Sequence, residues 1–356
     1  MESLRSEIER LDSEIIELVA QRRDVSREIG LVKKKERKPV RDESREAVVL
    51  SEFAAQAGSL GVDAKLASKL ARALIDDSIR IQKGRASKFL SGKTALVVGG
   101  SGKMGEWTCR FLSDRGAAVA VWDPRGGLRG YRTVRSVRGE ASDADMVVIA
   151  SPLGACPAEL GDVLEASPEG LVFDLCSVKS HIAKQLRTAA KAGTRITSVH
   201  PMFGPSAASP RGRNVLVCDC GCRDADDEAA KLFSSAGAQV SRLPLERHDE
   251  MMAYVLGLSH LCALLFGSAL QRSGEPVKEF TVIQGPSFRK MSRLARELSR
   301  ESKRVYHDIQ ALNPHTRHLI ASMEEVLRDL RRAALDGDSA RFGALMESNR
   351  EYLEVR

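Results

Sequence analysis

The chain has 356 residues, 43% hydrophobic and 29% charged, an ordinary globular mix that at roughly 150 residues per domain implies two or three domains. With 28 Gly and 12 Pro it is neither collagen-like nor of low complexity. The net charge of +7 suits anionic small molecules, and because no Lys/Arg block longer than 33–35 is interleaved with aromatic residues, nucleic acid is not an expected partner.

Seven cysteines, odd in number and without CxxC pairs, fit a reducing compartment, so a cytoplasmic protein is expected. Cys218, Cys220 and Cys222 form a CxCxC run that an alternating strand end explains, and no metal site is expected. The N-terminus MESLRSEIER lacks the apolar segment of a secretory leader. The richest apolar stretch, 255–270, is interrupted by Ser259, His260 and Ser268, so no membrane span is expected either.

Residues 1–90 hold no cysteine and one proline, Pro39, and read as all-helical. Their first helix places Leu4, Ile8, Leu11, Ile15, Leu18, Val25, Ile29 and Val32 at alternating spacings of four and three, apart from the break at residue 22. The seam is about 42 Å long at 1.5 Å per residue, too long for a monomeric ninety-residue domain. It predicts pairing with a second chain. The seam position between Leu18 and Val25 is Arg22, and Lys33 lies beside the same face. Cations on a buried face are costly unless an anion meets them, which points either to a carboxylate ligand between helices or to a structural ion pair. A second helix after Pro39 adds Asp42, Arg45 and Glu46, and a third places Ser78 and Gln82 four residues apart on one face.

From Lys93 onward, short β-branched runs at 95–98, 118–122, 146–150, 171–175, 195–199 and 214–218 alternate with helical patterns. This predicts an α/β domain with a mostly parallel sheet over 93–246, followed by a helical segment over 247–356. The first run leads into Gly99 and then Gly100-Ser101-Gly102-Lys103-Met104-Gly105, a GxGxxG in strand, turn and helix context. Such glycines let the backbone approach a pyrophosphate at a helix N-terminus. Asp123 ends the next strand, where an acid accepts from a ribose 2′-hydroxyl and repels a 2′-phosphate. NAD is therefore favoured over NADP, although Arg125 follows closely enough to accommodate the phosphate. Ser151-Pro152, Ser177-Val178-Lys179 and His200 all stand at predicted strand C-terminal ends, the ligand-binding edge of such sheets, where His200 is a candidate proton acceptor.

The pattern LR-x5-LD-x9-RR, G-x2-K, PVRD-x2-RE and DS-x3-Q over residues 1–90 resembles the all-helical chorismate mutase of the intertwined-dimer type. The resemblance implies that Arg5 reaches the partner subunit's site and that Arg22 and Arg45 lie near the substrate carboxylates and ring. It further implies that Lys33 and Gln82 bond the ether oxygen, that Glu46 and Asp42 face the ring hydroxyl, and that Ser78 binds a carboxylate. The dinucleotide loop, DLCSVK, HPMFGP, Arg247-His248-Asp249 and Leu258-Ser259-His260 resemble prephenate dehydrogenase over most of 93–356.

By that second resemblance His200 takes the proton from the ring hydroxyl of prephenate, Ser177 orients His200, and Lys179 and His260 assist at the substrate. A carboxylate-binding arginine is implied on a C-terminal helix. Arg293 fits the local motif, whereas counting back from Tyr306 puts Glu297 there. Ser206 stands where relatives accepting arogenate can carry an acid, which favours prephenate. The expected architecture is an all-α mutase domain, a Rossmann-like dinucleotide domain and an all-α dimerisation domain. The expected protein is a homodimeric, bifunctional enzyme of tyrosine biosynthesis. The alternatives are an arogenate dehydrogenase fusion, or a mutase-like domain that serves only regulation.

Overall fold

The computed structural model describes residues 2–82 and 89–354. Three helices come first: α1 (Glu2–Lys35), α2 (Glu43–Ser59) and α3 (Ala64–Gln82). Asp42 caps α2, its carboxylate accepting the Arg45 N–H at 3.0 Å. α3 packs against both α1 and α2. A Cβ at Gly30 would lie 3.1 Å from the Gln82 Cα, so the glycine permits the close crossing of α1 and α3. The apolar seam of α1 is real and has no cover among the described residues, since Leu4, Ile8, Leu11, Ile15 and Leu18 are all exposed.

A single eight-stranded sheet follows, built from β1 (Thr94–Val98), α4 (Lys103–Ser113), β2 (Ala118–Trp122), β3 (Arg132–Thr133), α5 (Arg138–Ala141), β4 (Met146–Ile149), α6 (Cys156–Glu165), β5 (Leu171–Asp174), α7 (Ala183–Lys191), β6 (Ile196–Pro201), β7 (Asn214–Asp219), α8 (Arg223–Ser234) and β8 (Gln239–Pro244). The strand order is 3-2-1-4-5-6-7-8. Every pairing is parallel except β6 with β7, where His200 stands opposite Leu216.

Successive residues of a strand point to opposite faces, so Leu96 and Val98 enter one core while Val97 enters the other. Helices cover both faces, and the near-continuous β-branched runs of β1, β4 and β5 are what a doubly covered parallel sheet requires. The chain order reverses between β1 and β4, which opens a crevice at their C-terminal ends.

The remainder is helical: α9 (Leu245–Met252), a π-helical turn at Ala253–Leu258, α10 (Ser259–Arg272), α11 (Val277–Ile283), α12 (Pro286–Ser299), α13 (Lys303–Leu312), α14 (Thr316–Leu335) and α15 (Ser339–Glu354). The π-turn packs Gly257 against Leu319 of α14, whose side chain would lie 3.2 Å from an added Cβ. Leu245–Arg272 runs as one helical rod with an eighteen-residue window of mean hydropathy 1.7, long and apolar enough by length and composition to cross a membrane. A window average passes over the three polar residues that interrupt this run. Val255, Leu264 and Leu265 on this rod are exposed.

The helical N-terminal unit meets the sheet unit through Asp24 of α1, which Arg213 reaches at 2.7 Å, while Arg27 donates to Ser209 at 3.0 Å.

Candidate active sites

The first site lies between α1 and α3. Arg22 donates to the Leu74 carbonyl at 2.6 Å and to Ser78 Oγ at 2.5 Å, and Ser26 donates to the same Ser78 hydroxyl at 2.9 Å. Burial lowers the Arg22 pKa against the opposing pull of Asp77. One turn of α3 further on, Gln82 holds a buried Oε1 with no hydrogen-bond partner among the described residues. Lys33 donates to the Val40 carbonyl at 2.6 Å. The face thus presents a guanidinium, a hydroxyl and an unsatisfied amide, with an ammonium at its edge. Glu46 is engaged by Arg41 at 3.2 Å, Arg45 is exposed, and Arg5 stands about 26 Å up the helix from Arg22.

The second site begins at the crevice between β1 and β4. Gly99 takes φ +78°, and a Cβ on Gly105 would lie 2.2 Å from the Gly99 carbonyl oxygen, so α4 can meet the turn only through glycine. Gly102 caps α4, whose free N–H groups face the crevice. Asp123 is buried at the end of β2, accepting the Ser101 N–H at 3.1 Å and two bonds from the Arg125 guanidinium at 3.0 Å. Burial would raise its pKa, but these bonds outweigh burial and hold it below the usual carboxylate range. Ser151 packs against Gly99 from the end of β4, with Pro152 next to it.

On the same edge His200 is buried near the end of β6. Its Nδ1 lies 2.9 Å from His248 Nε2, and His248 Nδ1 lies 2.7 Å from Asp249 Oδ1. Asp249 also accepts the Lys179 N–H at 2.8 Å and the Ser180 N–H at 2.7 Å. Its carboxyl is therefore held far below the ordinary range in spite of burial, which by itself would raise it.

The tautomers follow from this carboxylate. It can only accept, so His248 carries its proton on Nδ1 and offers a lone pair at Nε2. His200 must then donate from Nδ1, which leaves its Nε2 as a bare acceptor. Burial, His248 and Lys179 push the His200 pKa well below its usual value, so the ring is neutral.

Comparison with known proteins decides what these sites belong to. The type II chorismate mutase model matches residues 4–83. The nucleotide-binding and dimerization domain models of prephenate dehydrogenase match residues 129–226 and 244–348. A 4-amino-4-deoxyprephenate dehydrogenase of Streptomyces pristinaespiralis is 31% identical over 72% of this chain and 90% of its own length. The chain belongs to the prephenate dehydrogenase family, with a chorismate mutase domain fused at its N-terminus.

A T-protein of Enterobacter agglomerans is 26% identical over 86% of this chain and 80% of its own length. Among solved structures, the Aquifex aeolicus prephenate dehydrogenase in complex with hydroxyphenyl propionate and NAD+ shares the fold, with a TM-score of 0.59 and 19% identity over 75% of this chain and 99% of that one.

Within the prephenate dehydrogenase half, several expected roles change. Lys179 is fully buried, its Nζ bonded to Asp174 at 2.7 Å and to the Val199 carbonyl at 2.9 Å. It therefore braces β5 against β6 and does not reach a substrate. His200 is oriented by His248 and not by Ser177, whose hydroxyl makes no hydrogen bond among the described residues. Arg293 points away on the exposed face of α12, 3.8 Å from Glu297. The guanidinium that does approach the crevice is Arg304 of α13, whose Nη2 lies 3.7 Å from where a Cβ on Gly154 would stand. His260 of α10 meets Tyr306 in a tilted ring contact with centroids 4.4 Å apart and keeps a buried Nδ1 with no hydrogen-bond partner among the described residues.

In the chorismate mutase domain Asp42 acts as a helix cap, a use that competes with the substrate role expected of it. The His248–Asp249 pair escaped the sequence reading as a working unit because its partners lie 48 and 70 residues away.

Proposed function

We propose that this chain rearranges chorismate to prephenate between α1 and α3 and then oxidatively decarboxylates prephenate to 4-hydroxyphenylpyruvate at the sheet edge, using NAD in tyrosine biosynthesis. The observation that carries the reading is the buried line from Asp249 through His248 to His200, which supplies a neutral imidazole with a free acceptor nitrogen beside a dinucleotide crevice.

The rearrangement is a one-step pericyclic reaction that needs no nucleophile or proton shuttle. Catalysis there is orientation together with charge stabilisation as the ether bond breaks. Arg22 and Ser78 are placed to hold a carboxylate, with Lys33 and Gln82 directed at the ether oxygen. Arg5 serves the partner subunit's site, because it stands about 26 Å along α1 from Arg22 of its own chain's site.

In the dehydrogenase, His200 Nε2 accepts the hydrogen bond and then the proton of the ring hydroxyl. A nicotinamide held at the crevice would supply the acceptor for the hydride that leaves the same carbon. The new carbonyl conjugates with the ring, the C–C bond to the quaternary-carbon carboxylate breaks, and its electrons aromatise the ring as CO2 leaves. The glycine turn fits a dinucleotide, since a Cβ on Gly100 would lie 2.5 Å from Val121 and one on Gly105 2.2 Å from the Gly99 carbonyl oxygen, so only glycine permits the tight strand-to-helix turn that such a cofactor requires. Gly102, Ser101, Lys103 and Met104 lead from the turn into α4, and Asp123 faces the ribose and favours NAD over NADP.

Ser177, His260 and Arg304 are the groups offered to prephenate, and Ser206 favours it over arogenate. The exposed seam of α1 and the exposed face of α10 support a homodimer. Seven free cysteines support a reducing, cytoplasmic setting.

The experiment gives purified protein chorismate alone and then chorismate with NAD, following chorismate loss and NADH together. Chorismate loss without NAD, with NADH only when both are supplied, is the expected result. Prephenate oxidised while chorismate persists would leave the mutase domain a regulatory role. No reduced cofactor from prephenate would overturn the dehydrogenase reading.

A further inference from the structure

Apart from the two sites, one group of side chains has no part in either. Cys156 opens α6 just after the turn that carries Ser151 and Pro152, Cys176 follows β5 and precedes Ser177, and His181 lies ahead of α7. Drawn from three successive elements of the sheet unit, their ligand atoms all lie within 4.8 Å of one another. Both thiols are buried and neither is in a disulfide. Both ring nitrogens of His181 are shielded from solvent without a properly formed hydrogen bond, although the Cys176 thiol stands beside them. A shielded imidazole left in this way is costly unless something completes it.

We propose that Cys156, Cys176 and His181 bind a thiophilic divalent cation, of which Zn2+ fits best. The donor set of two sulfurs and one imidazole is a zinc set, and tetrahedral coordination needs donor separations of about 3.6–3.8 Å, a small contraction of the group as it stands. Each thiol gives up one proton to solvent as its sulfur binds. Two thiolates then balance the 2+ charge, so the complex is neutral and suits a buried place.

A disulfide between Cys156 and Cys176 would use a peroxide oxidant, form two waters and leave His181 unsatisfied. It accounts for fewer of the observations. The bound cation ties the β4–α6 turn to the residue before Ser177, so it reports to the dehydrogenase edge and leaves the α1–α3 site alone.

The test titrates the reduced, chelator-treated full chain with Zn2+ against a chromophoric competitor, and with Co2+ for the sulfur-to-cobalt charge-transfer band. One cation per chain, a clear band, and affinity falling at least 100-fold in Cys156→Ser, Cys176→Ser and His181→Ala are expected. Dehydrogenase activity in chelator shows that each variant is folded. The half-buried His181→Ala serves as the milder variant if the cysteine variants are damaged. No saturable binding, or equal affinity in the Cys156→Ser/Cys176→Ser double variant, would overturn the proposal. A free-thiol count that drops by two under dilute peroxide, with no cobalt band in the reduced protein, would replace the cation with a disulfide and overturn it too.

Discussion

Asp249→Asn is the substitution that most directly probes the second site. The amide that replaces the carboxylate has one acceptor oxygen and one donor nitrogen. Two backbone N–H groups, of Lys179 and Ser180, point at the carboxylate from 2.7–2.8 Å, against a single ring N–H from His248. The amide oxygen turns to the two backbone donors, and its NH2 then faces His248 Nδ1. That nitrogen must become an acceptor, so His248 carries its proton on Nε2, His200 accepts at Nδ1, and the His200 proton moves to Nε2. The acceptor nitrogen has become a donor and cannot take the proton of the ring hydroxyl.

Restoring the productive tautomers means pressing an amide NH2 against two buried N–H groups, about 1–3 kcal/mol for each unmade bond. The sum, about 2–6 kcal/mol, corresponds to a loss of roughly 30-fold to 10⁴-fold in kcat. NADH formation from prephenate at fixed pH, with kcat and KM separated, measures it. Chorismate turnover by the same preparation reports whether the protein is intact. A variant that keeps kcat within threefold would show that the line from Asp249 does not set the state of His200, and the reasoning would fail.

Other outcomes follow from the same geometry. Arg22→Ala should lower mutase kcat/KM by about 10²–10³, the usual effect of removing one preorganised donor, while NADH formation from added prephenate stays unchanged. Asp123→Ala releases Arg125 from its two bonds at 3.0 Å, and the ratio of kcat/KM for NAD over NADP should fall at least tenfold; an unchanged ratio would remove Asp123 from cofactor choice. Because His200 is held well below its usual pKa and works as the neutral ring, activity is present above that depressed value and lost as pH falls through it. The dehydrogenase kcat/KM should therefore show no acid limb at about 6.5 or above, and a limb there would contradict the burial and charges that surround His200.

Much of this architecture could be read from residues alone, for reasons that are local. The α1 seam is a periodicity, and the glycine loop is a run of six residues whose strand and helix flank it on either side. Asp123 and His200 end strands that their β-branched runs already announce. What could not be read depends on distance and on helix phase. Lys179 sits in a motif that suggests chemistry, yet strand geometry turns it inward to Asp174, and only the position of β6 shows this. His248 and Asp249 become a unit once α9 packs beneath the β5 turn.

Arg293 and Arg304 differ in which faces of α12 and α13 meet the crevice, a matter of rotation about helix axes that one sequence leaves open. Asp42 shows a further ambiguity, since the residue type suited to a substrate hydroxyl is also the one that caps helices.

The length of α1 has a consequence for inheritance as well as for catalysis. If Arg5 completes the partner's site while Arg22 serves its own, a chain defective at Arg5 and a chain defective at Arg22 repair each other when they pair. Each mixed dimer holds one whole mutase site and one doubly damaged site. Random re-pairing of equal amounts of the two inactive variants should restore roughly a quarter of the normal rate, because half the dimers are mixed and each carries half its sites intact. Two alleles that each abolish the rearrangement would then support growth together, and the functional unit of the mutase would be the pair of chains.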